Sequence, residues 1–237
     1  MTHYAIILPI CNEEACLDAV LDELIQQLPV SDDRRFTIAV GLNDTSDRSG
    51  EIARSKEGII IGETDARGYG QGCVAAIEAS RDLQPDAYIF YAGDGASDPA
   101  DLPALVAAFE SGAEFVHGTR TSTIRNWRRP WRRIAANVVL GIWTTMLCRH
   151  LYLDLGPYRI ISRELYERMN QQELTWGWTI ESQILAARLG ASIAHVPVDE
   201  RKRIAGQQKV SGVSWRQTLE IGKAIAAAGF RVAHRPM

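Results

Sequence analysis

Short apolar runs alternate with single amphipathic stretches through the first half of this chain, and that alternation leaves few folds open to it. Residues 4–8 read as a strand, residues 14–28 carry Leu17, Val20, Leu21, Leu24, Ile25 and Leu28 at helical spacing, and residues 36–40 read as the next strand. A Ser/Asp-rich turn then leads to a short helix near 48–54, a strand over 58–62 and a helix over 71–83. A strand over 87–91, a helix over 101–109 and a strand over 114–118 continue the series. Strands separated by one helix each need crossover connections. The expectation is therefore an α/β fold with a mostly parallel sheet sandwiched by helices.

In such sheets ligands sit beyond the carboxyl ends of the strands, which selects four loops: 9–14, 41–47, 65–72 and 92–98. The run Asp65-Ala66-Arg67-Gly68-Tyr69-Gly70-Gln71-Gly72 supplies glycines that let backbone amides approach a ligand, then a helix N-terminus with its partial positive charge. Taken alone, it also reads as a tight strand-helix turn. Asn12, Glu13 and Glu14 equally suit the cap of the first helix, and 43–47 a cap and turn. Their coincidence at one sheet edge favours a site for an anionic, hydrogen-bonding ligand. The last of the four loops follows the apolar run Tyr88-Ile89-Phe90-Tyr91 and presents one carboxylate, Asp94.

Composition narrows the class. With 237 residues, 46% of them hydrophobic, the chain can bury a full core as one domain, read here as residues 1–212 with a C-terminal helical appendage over 213–237. A net charge of -3 argues against a surface built for nucleic acid. Cys11, Cys16, Cys73 and Cys148 form no CxxC and no regular framework, which implies reduced thiols and a cytoplasmic setting. The N-terminus runs into a strand without the pattern of a signal peptide. The uncharged run over 134–148 is shorter than the roughly 20 residues of a membrane span and reads as a buried or interfacial helix.

At this point the motifs resemble a family. Leu8-Pro9-Ile10-Cys11-Asn12-Glu13-Glu14, Asn43-Asp44-Thr45-Ser46-Asp47, Arg67-Gly68-Tyr69-Gly70, Gly93-Asp94-Gly95 with Asp98-Pro99, and Gly118-Thr119-Arg120 look like the successive motifs of family-2 glycosyltransferases of GT-A fold. The later segments Asp154-Leu155-Gly156-Pro157-Tyr158-Arg159, Trp176-Gly177-Trp178-Thr179-Ile180-Glu181 and Arg203 to Gly212 resemble bacterial members of the dolichol-phosphate mannosyltransferase or glucosyltransferase type. The resemblance implies transfer of a hexose from a nucleotide-sugar donor, with inversion, onto a polyprenyl phosphate or similar acceptor. It also implies a divalent metal, Mg²⁺ or Mn²⁺.

Carried over residue by residue, the resemblance places Pro9, Asn12, Glu13, Asn43, Arg67, Gly68 and Gly93 around the donor. Asp94 matches the second acid of the DxD motif and is the candidate metal ligand and catalytic residue. Arg120 is placed toward the acceptor phosphate or the donor. Two departures stand out: Ala92 occupies the first position of DxD, and Leu42 stands where an acid usually reads the nucleobase. Mg²⁺ tolerates the loss of one carboxylate when waters and phosphate oxygens complete its octahedron. A metal dependence weaker than that of two-acid relatives, or a non-catalytic binding descendant, both follow as readings.

On the acceptor side, Arg120, Arg125, Arg128, Arg129, Arg132 and Arg133 share one acid-free stretch with Trp127 and Trp131. Rings at an interface and guanidinium groups on phosphates suit a membrane headgroup zone, so the protein is read as cytoplasmic and peripheral on the inner membrane face. A solvated basic loop ahead of a core helix is the plainer alternative. Arg132, Arg133, Arg203, Lys209 and Ser211 are the candidate acceptor contacts. Glu181, at a helix start after Trp176-Gly177-Trp178, is the candidate base for a hydroxyl acceptor, or else only steadies its helix N-terminus. His117 and His195, at strand ends, read as packing residues. A homo-oligomer stays open, and a soluble acceptor is the rival to the lipid phosphate.

Overall fold

The computed structural model describes residues 1–120, 131–205 and 215–236. Its centre is a seven-stranded sheet built from β1 (Thr2–Ile10), β2 (Arg34–Asn43), β3 (Ile60–Thr64), β4 (Ala87–Phe90), β5 (Phe115–Thr119), β6 (Arg159–Ser162) and β7 (Ile193–Pro197), in the order β3-β2-β1-β4-β6-β5-β7. β1 to β4 are mutually parallel, with Ile6 opposite both Ile38 and Ile89. β6 runs antiparallel between β4 and β5, and β7 pairs in parallel with β5 at the edge. The mostly parallel sheet expected from the alternation is present. Its one reversed strand was not foreseen.

Strand residues alternate between two cores because successive side chains leave a strand on opposite faces. Tyr4, Ile6, Leu8 and Ile10 of β1 face a core shared with α1 (Leu17–Gln26), α2 (Ser49–Ser55) and α4 (Leu102–Glu110). Ala5 and Ile7 face the other, shared with α3 (Tyr69–Ser80), α6 (Arg163–Met169), α7 (Trp178–Arg188) and α8 (Trp215–Ala233). The expected uncharged helix forms as α5 (Trp131–Cys148), whose Trp143 and Leu147 pack against this second core. Ala228 and Val232 place α8 in the same core, so the segment read as an appendage packs into the body of the fold. Among the described residues no helix is long and apolar enough to cross a membrane.

One contact sets the spacing between α3 and the sheet. A Cβ on Gly41 of β2 would lie 1.8 Å from the carbonyl oxygen of Gly72 in α3. Only hydrogen fits there, and this lets the α3 N-terminus rest directly on the strand ends.

Candidate active site

Asn43, at the end of β2, ties three of the four loops together. Its Nδ2 donates to the Ile10 carbonyl at 2.9 Å, and its Oδ1 accepts the Gly68 N–H at 3.3 Å. Asn12 adopts the left-handed region, φ +55°, which Asn tolerates better than most residues. Its Oδ1 accepts from the backbone N–H groups of Ser46 at 2.7 Å and Asp47 at 3.1 Å. The Glu13 N–H donates to Ser49 Oγ at 2.8 Å. Pro9 lies close against Gly72, and Gly93 against Ile10. Pro9, Asn12, Glu13, Asn43, Gly68 and Gly93 are thus gathered at one sheet edge by backbone contacts. Arg67 stays exposed, 3.8 Å from Asp44.

Asp94 follows β4 at the same edge. Its Oδ1 accepts the Ala96 N–H at 3.0 Å, which closes the turn, while Oδ2 lies 3.2 Å from an Nη of Arg203. The same guanidinium donates to Glu13, so Arg203 bridges the two carboxylates, with 13% of its side chain exposed. Arg203, expected among the acceptor contacts, lies between Glu13 and Asp94. It is carried there by a strap, residues 199–205, laid across the loop after β4. Asp199 N–H donates to Asp101 at 2.7 Å, and Ser97 and Glu200 form a β-bridge. Arg201 grips both oxygens of Glu23 in α1 at 2.6 and 2.8 Å. That charge-assisted fork lowers the pKa of Glu23 and raises that of Arg201.

The strand ends do not offer a ready metal cage. No group of three His, Cys, Asp or Glu side chains able to hold a metal ion occurs among the described residues. Mg²⁺ is commonly held by one or two carboxylates plus substrate phosphates, so Asp94 fits an ion that arrives with a diphosphate better than a resident one.

On the other flank, Arg120 follows β5 and lines a small cavity with Ala92, Ser97, Tyr158, Asp199 and Glu200. Its Nε donates to Asp154 Oδ2 at 2.8 Å, one Nη to Glu200 at 3.3 Å and the other to the Leu155 carbonyl at 3.1 Å. Asp154 is fully buried. Because β6 is reversed, the segment before it returns to the strand-exit edge and delivers Asp154 and Tyr158 there. The sequence displayed Asp154 within a motif but gave it no role.

Behind Asp154 runs a chain of imidazoles. Buried His117 accepts at Nε2 from Gln183 at 3.0 Å and from the Gly156 N–H at 3.3 Å. The Gly156 N–H favours a proton on Nδ1, which lies 3.3 Å from His195 Nδ1, while Nε2 also lies 3.4 Å from Asp154 Oδ1; His195 Nε2 lies 3.1 Å from His150 Nε2. Burial lowers the pKa of all three, His117 to about 3, although the nearby Asp154 charge opposes the shift there. From pH 6.5 down to about 3 the unfolded chain binds a proton that folded His117 refuses, so stability falls as pH falls through that window. The loss is about 1.4 kcal/mol per pH unit for one fully expressed imidazole. Nitrogen NMR at pH 5.5 is expected to show His117 neutral and protonated at Nδ1. A charged ring there would contradict the network.

Glu181 requires a correction. Its carboxylate is fully buried, accepting the N–H groups of Gln172 and Glu173 at 3.0 and 2.7 Å and pairing with Arg235 at 3.0 Å. Those partners join α7 to the C-terminus and to the preceding loop, whose Leu174 carbonyl accepts the Gln71 N–H at 3.0 Å. The carboxylate is thus engaged inside the protein rather than exposed as a free base. Lys209, Ser211, Arg125, Arg128, Arg129 and the side chains of Arg132 and Arg133 lie outside the described residues.

Comparison with known proteins agrees with this geometry. The sequence profile described as glycosyl transferase family 2 matches residues 5–188. An uncharacterized glycosyltransferase of Mycobacterium tuberculosis (strain ATCC 25618 / H37Rv) is 29% identical over 208 residues, covering 87% of this chain and 89% of its own. Polyprenol monophosphomannose synthase of Mycolicibacterium smegmatis is 28% identical over 141 residues, 53% of this chain and 49% of that one. Glucosyl-3-phosphoglycerate synthase from M. tuberculosis, solved with UDP, superposes with a TM-score of 0.71 at 18% identity, covering 100% of this chain and 81% of that one. A sheet whose strand exits gather Asn12, Asn43, Gly68 and Asp94 in one cleft, and a profile match spanning most of the chain, lead to one assignment: the protein belongs to glycosyl transferase family 2, with the GT-A fold, and is a glycosyltransferase.

Proposed function

We propose that the enzyme transfers a hexose, with inversion, from a nucleoside-diphosphate sugar to the phosphate of a lipid-linked, polyprenyl-phosphate type acceptor. The observation that carries this reading is a pair of ionic clusters along one edge. Glu13 and Asp94 close around Arg203 beside the strand-exit loops, and Arg120 is held by buried Asp154 and by Glu200 on the other flank. An acceptor phosphate oxygen would attack the anomeric carbon opposite the leaving group. As the new C–O bond forms, the bond to the diphosphate breaks and its electron pair leaves with the nucleoside diphosphate. A phosphate nucleophile needs no base, in keeping with a Glu181 whose carboxylate is engaged inside the protein. Arg120 would orient the incoming phosphate by its planar fork.

A divalent cation held by Asp94 would neutralise the leaving diphosphate. The solved glucosyl-3-phosphoglycerate synthase complexes with Mn²⁺ and UDP-glucose support this cofactor and donor class. The name of the M. smegmatis relative supports the lipid acceptor. Exposed Val139, Ile142 and Met146, spaced along one side of α5, suit a bilayer surface. The rival acceptor is a soluble phosphorylated hydroxyl compound, favoured by the complexes of the same synthase with phosphoglyceric acid and glycerol 3-phosphate.

A panel of UDP- and GDP-hexoses, with and without Mn²⁺, offered to polyprenyl phosphate in anionic vesicles and to 3-phosphoglycerate, separates the two. Product on the lipid phosphate is expected, and transfer to phosphoglycerate alone overturns the proposal. The protein is also expected to cosediment with anionic vesicles at low salt and to be released by Arg128→Glu with Arg132→Glu, each basic residue contributing about 1 kcal/mol. A wild-type protein that stays in the supernatant removes the membrane surface from the reading.

A further inference from the structure

We infer that Arg203 is a positioning residue that competes with the divalent cation for Asp94, so that donor binding must draw the strap tip off the cleft. The inference rests on the donor reading above. Its basis is a guanidinium wedged between two carboxylates at the strand exits: an Nη lies 3.2 Å from Asp94 Oδ2 and the other donates to Glu13. Nε points to the Ala205 carbonyl at 3.4 Å, which turns the fork toward the acids.

A metal ion needs the carboxylate lone pairs that these N–H groups occupy. It would also place like charge against a guanidinium only 13% exposed. The two cations therefore cannot share Asp94 at full strength. In a two-acid motif a metal could keep one carboxylate while an arginine held the other. Here the companion position is Ala92, so the arginine and a metal ion would meet on the same carboxylate.

The strap is built to let only its tip move. Arg201 is clamped to Glu23, and its N–H donates to the Ala96 carbonyl at 2.8 Å, which fixes the strap two residues before Arg203. Beyond that post, Ile204 leans on the side of Gly95 where a Cβ would be, with 45% of its surface exposed. Weakening the tip contact must favour the metal-bound state, because binding of metal and release of the tip are linked.

Mn²⁺ binding followed by electron paramagnetic resonance, in the presence of UDP and separately of GDP, tests this without catalysis. Arg203→Gln is expected to lower the Mn²⁺ concentration for half-saturation by about fivefold or more. Ile204→Ala, which trims the tip contact on Gly95 and leaves Arg203 and Asp94 in place, is expected to shift it in the same direction, which keeps the test open if the first variant folds poorly. Unchanged or weakened Mn²⁺ binding in folded Arg203→Gln, or no shift in Ile204→Ala, overturns the inference. A wild-type protein that binds Mn²⁺ with neither nucleotide overturns the donor reading itself.

Discussion

Asp94→Asn is expected to lower the rate of sugar transfer by a factor on the order of 10² or more while leaving the fold intact. The substitution is nearly isosteric, and an asparagine Oδ1 still accepts the Ala96 N–H that closes the turn after β4. What disappears is the charge. Asp94 stands alone on its motif because the neighbouring position is Ala92, so no second acid of that motif takes over when a diphosphate must be neutralised. The loss should fall on kcat/KM and on metal-dependent nucleotide binding together, with a melting temperature close to that of the parent. Wild-type turnover in a correctly folded variant would show that neither cation nor donor depends on this carboxylate.

Gly41→Ala is expected to be the most damaging single methyl group in the donor half, costing about 3 kcal/mol or more of folding stability. The added carbon would stand 1.8 Å from the Gly72 carbonyl oxygen and 3.1 Å from the Ala76 nitrogen, both in the backbone of α3. Neither atom can rotate out of the way, so α3 must lift from the sheet. Lifting it would separate Gly68 from Asn43, whose 3.3 Å hydrogen bond holds the glycine turn to the strand ends. Nucleotide affinity should therefore fall even in whatever fraction remains folded. Urea titration compares the variant with the parent, and an unshifted midpoint would mean the helix-sheet spacing yields far more easily than close-packed interiors do.

The half proposed to bind the donor was legible because each of its parts is local. A strand, its exit loop and the next helix are contiguous, so Asn12, Asn43, Gly68 and Asp94 could be set at one edge from alternation alone. Boundaries moved by a few residues, as at β2, expected over 36–40 and found over Arg34–Asn43. The acceptor half was less legible, because it depends on distant pairings. β6, with only four residues, Arg159–Ser162, gives too brief a pattern to read as a reversed strand, and its reversal is what brings Asp154 to the cleft. Glu181 was misplaced because position in a helix's first turn does not say which neighbours close over it. Here Gln172, Glu173 and Arg235 do. Arg203 was recognised as a phosphate-contact candidate, but only the long reach from strap to β4 reveals its carboxylate partners.

The insertion of β6 between β4 and β5 also orders events during synthesis. Residues 2–98 contain β1 to β4 and the loops that follow them, and β1 can pair with both β2 and β4 once that length has emerged. The other flank waits. β6 lies some 70 residues beyond β4, and β5 gains its outer neighbour only when His117 meets His195. Contacts of such separation form late, since chain closure must precede any gain from them. Until β7 arrives, β5 keeps a bare edge whose unpaired amides invite a foreign strand. The nascent chain is thus most exposed to misassembly at the margin of the acceptor flank, after its nucleotide-facing half has already taken shape.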